Sequence, residues 1–323
     1  MSRLIAWLRS NADGVIALVL AFCIALLGSV DVLGAAQVNN AVLLVLGVLA
    51  TTLLRDRTTA GKVEHDVHEI KASHAELQRE LASTRAALDQ MSMVRVLSSE
   101  EVGPALASAR RDTDRWMFKG GTGTYLRAVT LPECVAAARQ DKRALTARVE
   151  IIDPTNEVVC GNYARFRHSL SREPDGIGEL WTLDRTRKES FATVLAACWY
   201  RQRYELLDIE VGLSPVMTTF RWDLSARCVI VTQEDSRTPP MMIERGKVYY
   251  DRFSTELRTS LEQARRLPIA QTAMAVPLGD EPTIDQVRKL FVKLDLPLPT
   301  SFTDRDVADI VRKALRPKNP YQI

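Results

Sequence analysis

Three runs of this 323-residue chain carry residue types able to hold an anion. The first is Asp114–Thr130, DRWMFKGGTGTYLRAVT. Gly120, Gly121 and Gly123 permit sharp turns, and Lys119, Thr122, Thr124 and Arg127 can gather around a negative group. The run is neither a P-loop nor a dinucleotide fingerprint, because the Lys-Ser/Thr ending and the glycine spacing are missing. A structural hairpin with flanking aromatics is the competing reading. The second run is Ile151–Arg167, IIDPTNEVVCGNYARFR. Asp153 follows a strand, where functional groups emerge at a sheet edge. Asn156, Asn162 and Tyr163 can hydrogen-bond a ligand, and Arg165 and Arg167 can contact phosphate. The same groups can instead cap Asp153–Pro154 and pair with surface acids. The third run is Phe220–Thr232, FRWDLSARCVIVT. Arg221 and Arg227 can complete a phosphate rim, with Asp223 holding one of them; a salt-bridged turn is the alternative. The expected ligand-binding set is therefore Lys119, Gly121, Thr122, Arg127, Asn162, Arg165, Arg167, Arg221 and Arg227.

Catalytic chemistry is poorly represented. Cys160 and His168 make no nucleophile pair, since neither an oxyanion site nor an orienting group accompanies them. The five cysteines are odd in number, widely spaced and without metal-site spacing, so they read as reduced, mostly buried thiols. No catalytic residue, metal ligand or cofactor is assigned. A carboxylate–metal route through Asp153, Asp184 and Asp223 is the enzymatic alternative. Forty-three basic and forty acidic residues leave a formal charge of +3, weak support for duplex nucleic acid as a partner.

The elements that must position these runs alternate between strand and helix. Arg148–Ile152, Leu207–Val211, Thr218–Trp222 and Cys228–Thr232 read as strands. Leu131–Arg139, Ser190–Tyr204 and Tyr249–Leu267 read as helices, the first capped by Thr130 with Glu133 three residues on. Gly103–Pro104 reads as a joint. The order predicts a mixed α/β domain over 101–278 and a small helical subdomain over 279–323, around Ile284–Lys293 and Asp304–Leu315.

Ahead of this domain the composition changes. Residues 14–54 hold one acidic residue, Asp31, and no basic residue. Gly14–Val30 would span about 26 Å as a helix, and Ala41–Leu54 is a second apolar run. A two-helix transmembrane anchor over 1–60 follows. Arg3, Arg9, Arg55, Arg57 and Lys62 flank it and predict both termini in the cytosol, in a multi-pass protein of the bacterial inner membrane with the lipid bilayer as partner. Val63, Val67, Ile70, His74, Leu77, Leu81, Thr84, Leu88 and Met91 alternate spacings of four and three, which predicts a coiled-coil-like, self-associating stalk over 61–100 and a homo-oligomer.

The stretches WMFKGGTGTYLRAVTLPE, VEIIDPTNEVVCGNYARFR and FRWDLSARCVIVT resemble the diverged phospholipase-D-like domains of bacterial membrane effectors, over roughly residues 110–270. The active family carries two histidine-x-lysine-x4-aspartate motifs. Here only His168 lies in the domain, followed by SLSRE, so the resemblance implies a binding or scaffold use of the fold and not phospholipase activity. Together these readings predict a membrane-anchored oligomeric sensor or effector that binds a phosphate-bearing ligand, such as a nucleotide signal in antiviral defence. The alternatives are a non-catalytic membrane scaffold and a metal-dependent phosphodiesterase.

Overall fold

The computed structural model describes residues 70–84, 93–170, 180–235 and 237–320, together with Val19, Leu46, Gly47 and Ala50. The chain divides into two compact units, residues 1–90 and 91–323.

In the first unit, residues 70–84 form helix α1, IKASHAELQRELAST, exposed along its whole length. Its apolar side chains Ile70, Leu77 and Leu81 stand 68%, 55% and 61% exposed. Among the described residues no helix is long and apolar enough to cross a membrane, a task that takes about 20 consecutive apolar residues. Among the described residues this corrects the expected membrane hairpin and its membrane-anchored stalk, and with them the bilayer partner and the multi-pass inner-membrane placement. The apolar runs 14–30 and 41–54 themselves lie, save for the four positions above, outside the described residues.

The second unit is a mixed α/β domain. Its strands are β1 (Arg95–Val96), β2 (Arg115–Lys119), β3 (Leu145–Ile152), β4 (Leu207–Ser214), β5 (Phe220–Ser225), β6 (Cys228–Gln233), β7 (Met241–Glu244) and β8 (Arg265–Leu267). They form one sheet in the order β1-β7-β6-β5-β2-β3-β4-β8. Strands β2, β3 and β4 run parallel, and every other pairing is antiparallel. The helices are α2 (Ser99–Arg110), α3 (Leu131–Gln140), α4 (Glu157–Leu170), α5 (Leu183–Arg203), α6 (Val248–Gln263), α7 (Ile269–Ala275), α8 (Ile284–Lys293) and α9 (Asp304–Leu315).

Strand alternation sorts the side chains between the faces. Trp116, Phe118, Ala147, Val149, Ile209 and Val211 lie in register on one face and enter the main core with α2, α3, α5 and α7–α9. Leu224, Val229, Val231 and Ile243 face the other way, against Tyr250 and Leu257 of α6. Helix α5 is buried on all sides over 189–198, because the sheet side and the C-terminal helices both cover it. A helix in that position has no water-facing side to keep polar. Its Phe191 meets Phe291 edge-on, ring centroids 5.2 Å apart.

Several boundaries differ from the sequence reading for identifiable reasons. Gly103–Pro104 is no joint but lies inside α2, which Ser98 and Glu101 cap as a box. The KGGTG run does not turn a hairpin. It leads from β2 straight into a helical run over 124–140, of which Leu126–Thr130 is a π turn. Thr130 is therefore helical and makes no cap, and its hydroxyl is buried without a partner. Helix α5 starts earlier than Ser190 because Thr182 caps it, accepting from the Arg185 backbone N–H at 3.1 Å.

Candidate binding cleft

The carboxyl ends of β2 and β3 open into a small cleft of about 50 Å³, where the chain leaves the sheet through Gly120–Gly123. The loop keeps pairing with β3 after β2 ends. Gly120 donates its N–H to the Glu150 carbonyl at 3.1 Å, and Ile152 donates to the Gly121 carbonyl at 3.0 Å. Two glycines are required here. A Cβ on Gly121 would overlap the Tyr163 phenol, and Gly123 sits at φ +74°, where a side chain is strained. The loop's hydroxyls are ordered: Thr122 Oγ1 lies 3.0 Å from Thr124 Oγ1, and the Thr193 hydroxyl donates to the Thr122 carbonyl at 2.7 Å.

Two paired arginines line the opposite walls. Arg221 of β5 donates through Nε to Asp223 at 3.0 Å and lies over the Tyr125 ring at 5.2 Å. Asp223 is fully buried and also accepts from Trp116 Nε1 at 3.2 Å. Burial raises its pKa, against the lowering effect of Arg221 and Trp116. Arg167 of α4 pairs with Glu234, whose second oxygen accepts from the Tyr163 hydroxyl at 3.0 Å. Trp181 closes this side, with the guanidinium of Arg167 at 4.4 Å and that of Arg185 at 4.1 Å from its ring centre. Thr232, in register with Arg221, is buried and its hydroxyl has no partner.

A buried ion cluster stands behind the loop. Glu189 is 1% exposed and bonds Arg127, while Lys313 Nζ of α9 donates to it at 2.9 Å. Arg127 also donates to the Lys313 carbonyl at 2.7 Å, the Glu189 carbonyl at 2.8 Å and the Thr193 hydroxyl at 2.7 Å. Burial alone would raise the Glu189 carboxyl, but Arg127 and Lys313 outweigh it and hold the group at about 2. Thr124 donates to the same carboxylate at 3.2 Å, so the loop is tied to this cluster.

Of the nine residues singled out in the sequence, the cleft gathers Gly121, Thr122, Arg167 and Arg221. Arg127 is engaged in the cluster behind it. Lys119 is on the opposite face of the sheet, where it bonds Ser260 of α6 and lies 3.5 Å from Glu150. Asn162 and Arg165 bond each other on the exposed side of α4. Arg227 sits at the β5–β6 turn, 3.7 Å from Asp112. There it lines a wider, open groove of about 810 Å³ with Arg95, Arg245, Glu101 and Glu244. That groove lies away from the GGTG loop, and its rim charges are of both signs. Sequence reasoning missed Glu234, Trp181 and Glu189. Glu234 follows β6 with no pattern to mark it, and Glu189 falls before the expected start of its helix.

These positions correct two functional readings. Lys119, Arg127, Arg165 and Arg221 do not converge, and the arginines that reach the cleft are each matched by a carboxylate, so the expected nucleotide or phosphate rim is not assembled. Among the described residues no group of three or more His, Cys, Asp or Glu could hold a metal ion, which removes the basis for a metal-dependent phosphodiesterase. Asp223 is taken by Arg221, and Asp153 accepts from the Thr155 N–H at 2.8 Å. Burial pushes the Cys134, Cys160 and Cys198 thiols up to about 12, far from nucleophilic poise.

No protein-family model matches this chain, and no curated protein matches it. A solved structure of TrmBL2, an archaeal chromatin protein described as showing a novel mode of DNA binding, is similar at 10% identity and a TM-score of 0.30, over 68% of this chain and 70% of that one. Likeness at that level fixes neither fold family nor function. The resemblance to phospholipase-D-like domains is corrected accordingly: no family model supports it, and His168 is exposed near the end of α4.

Proposed function

We propose that the α/β unit is a non-catalytic binding module that takes a compact, net-neutral, hydroxyl- or amide-bearing group in the cleft beside Gly120–Tyr125. The observation that carries this reading is the charge balance of the lining. Arg167 and Arg221 are each offset by a carboxylate, Glu234 and Asp223, while Thr122, Thr124 and Tyr163 offer hydroxyls and Tyr125 and Trp181 offer ring faces. A bare phosphate at either guanidinium would also meet the carboxylate paired with it, Glu234 or Asp223, and that like charge opposes it. A neutral group carrying both donors and acceptors can join both pairs at their edges. The carboxyl end of parallel strands is also where open α/β sheets place their ligands. The cleft volume of about 50 Å³ admits a head group rather than a whole nucleotide.

Calorimetry of the full chain against glycerol, erythritol, glucose, acetamide and inorganic phosphate tests the proposal. Binding of a neutral member, weakened roughly 10-fold or more by Glu234→Gln through loss of a charge-assisted contact, is the expected result. Binding of phosphate alone, or equal binding to wild type and Glu234→Gln, would reject it.

A further inference from the structure

A hydroxyl has a single proton, and in this cleft a buried anion decides where those protons go. Thr122 and Thr124 both line the cleft, and their hydroxyl oxygens lie 3.0 Å apart, so by distance alone either could donate to the other. Thr124 Oγ1 also lies 3.2 Å from Glu189 Oε2. Arg127 and Lys313 hold Glu189 ionised, so its carboxylate accepts and has no proton to give. Two oxygens at that distance attract only if Thr124 is the donor. The Thr124 proton is then committed, and Thr124 meets Thr122 by accepting. Thr122 donates to it, and its own oxygen keeps lone pairs but no proton for a ligand. The backbone of Thr122 is held from the same side: its carbonyl accepts from the Thr193 hydroxyl at 2.7 Å, which in turn accepts from Arg127 at 2.7 Å. Elsewhere in the lining the Tyr163 proton is committed in the same way, to Glu234 at 3.0 Å.

We propose that Glu189, acting through Thr124, makes Thr122 a hydrogen-bond acceptor, so that the cleft selects a ligand group carrying an N–H or O–H donor, such as a primary amide, over its acceptor-only isostere. This rests on the binding role proposed above and narrows it. An acceptor set against Thr122 meets lone pairs with lone pairs, and both oxygens stay unpaired in a place shielded from water. A site arranged to receive an N–H rejects the analogue that lacks it for the same reason. The carbonyl oxygen of a primary amide still offers an acceptor to the Arg167 and Arg221 side of the cleft. Thr124 is thus a positioning residue, which sets the direction of a hydrogen bond rather than the shape of the site.

The test has one arm without ligand and one with. Neutron diffraction from deuterated crystals of the full chain should place the Thr124 deuterium towards Glu189 and the Thr122 deuterium towards Thr124. Titrations followed by NMR then compare acetamide with acetone, which has the same shape and no donor. Acetamide should bind roughly 10-fold or more tightly than acetone to the wild type. Thr124→Val keeps the shape and releases the Thr122 proton, so this preference should shrink to about 3-fold or less. Thr124→Ser, which retains the hydroxyl, should keep the wild-type preference. A Thr122 deuterium turned away from Thr124, equal affinity for the two probes in the wild type, or an unchanged preference in Thr124→Val overturns the inference. Deuterium positions as expected with neither probe bound uphold the relay and reject the binding role proposed for the cleft. Should Thr124→Val fail to fold, the deuterium positions and the wild-type preference decide.

Discussion

Glu189→Gln removes one charge from the most buried ion cluster of the unit while keeping the side chain's shape. The wild-type carboxyl is held at about 2 against its usual 4.5, since Arg127 and Lys313 outweigh the cost of burial. That gap corresponds to roughly 3 kcal/mol of native-state stability at neutral pH. The same magnitude follows from breaking a buried ion pair at one end, about 3–5 kcal/mol, because Arg127 and Lys313 would be left as buried cations around a neutral amide. The native pKa is depressed, so the contribution is complete above pH 4.5 and is lost as pH falls towards about 2. Urea unfolding of the full chain, followed by circular dichroism between pH 7 and pH 2.5, measures both effects. At pH 7 the variant should be less stable by roughly 3 kcal/mol, and the difference from wild type should shrink as the pH falls below 4.5. A variant within about 1 kcal/mol of wild type at pH 7, with an identical acid limb, would refute the assignment of Glu189 as the cluster's anion.

Gly121→Ala should displace Tyr163, break its bond to Glu234 and cost about 1–3 kcal/mol, which thermal melts would register. Gly212→Ala should also destabilise, because its Cβ would lie 2.6 Å from Leu261 and push α6 off the sheet; Gly103→Ala, inside α2 with nothing within 4 Å, should be neutral or stabilising by up to about 1 kcal/mol. Phe291→Ala should cost about 3–5 kcal/mol in denaturant titration through the cavity left beside Phe191. Native-state alkylation at pH 8 followed by mass spectrometry should leave Cys134, Cys160 and Cys198 unmodified until denaturant is added, since burial holds their thiols near 12.

The strands were legible from their apolar pattern: Leu207–Val211 and Arg148–Ile152 interleave apolar and charged residues and lie within β4 and β3, while the run Cys228–Thr232, with no charged residue, lies within β6. Helices were legible in existence and less so in their starts. Thr182 caps α5 eight residues upstream of Ser190, the start expected from the sequence, and the π turn at Leu126–Thr130 hides Thr130 inside a helix. The binding residues were legible by type and not by direction. Phe118 and Lys119 are neighbours in sequence, yet the pleat sends them to opposite faces, so the first cation of KGGTG never meets Arg221. Glu234 and Trp181 could not be read at all, since only the folded chain brings the end of β6, α4 and the segment ahead of α5 to one place.

Lys313 lies 124 residues beyond Glu189, and it supplies both an ammonium and a carbonyl to the cluster behind the loop. Synthesis is vectorial, so every nascent chain passes through a stage in which Arg127 and Glu189 exist without their third partner. The sheet strands and α5 are then complete, but closing them would bury a cluster one cation short. The unit therefore gains much of its stability late, when α9 docks, and a ribosome stalled before that helix presents a chain whose central helix still has one side open to proteases and chaperones.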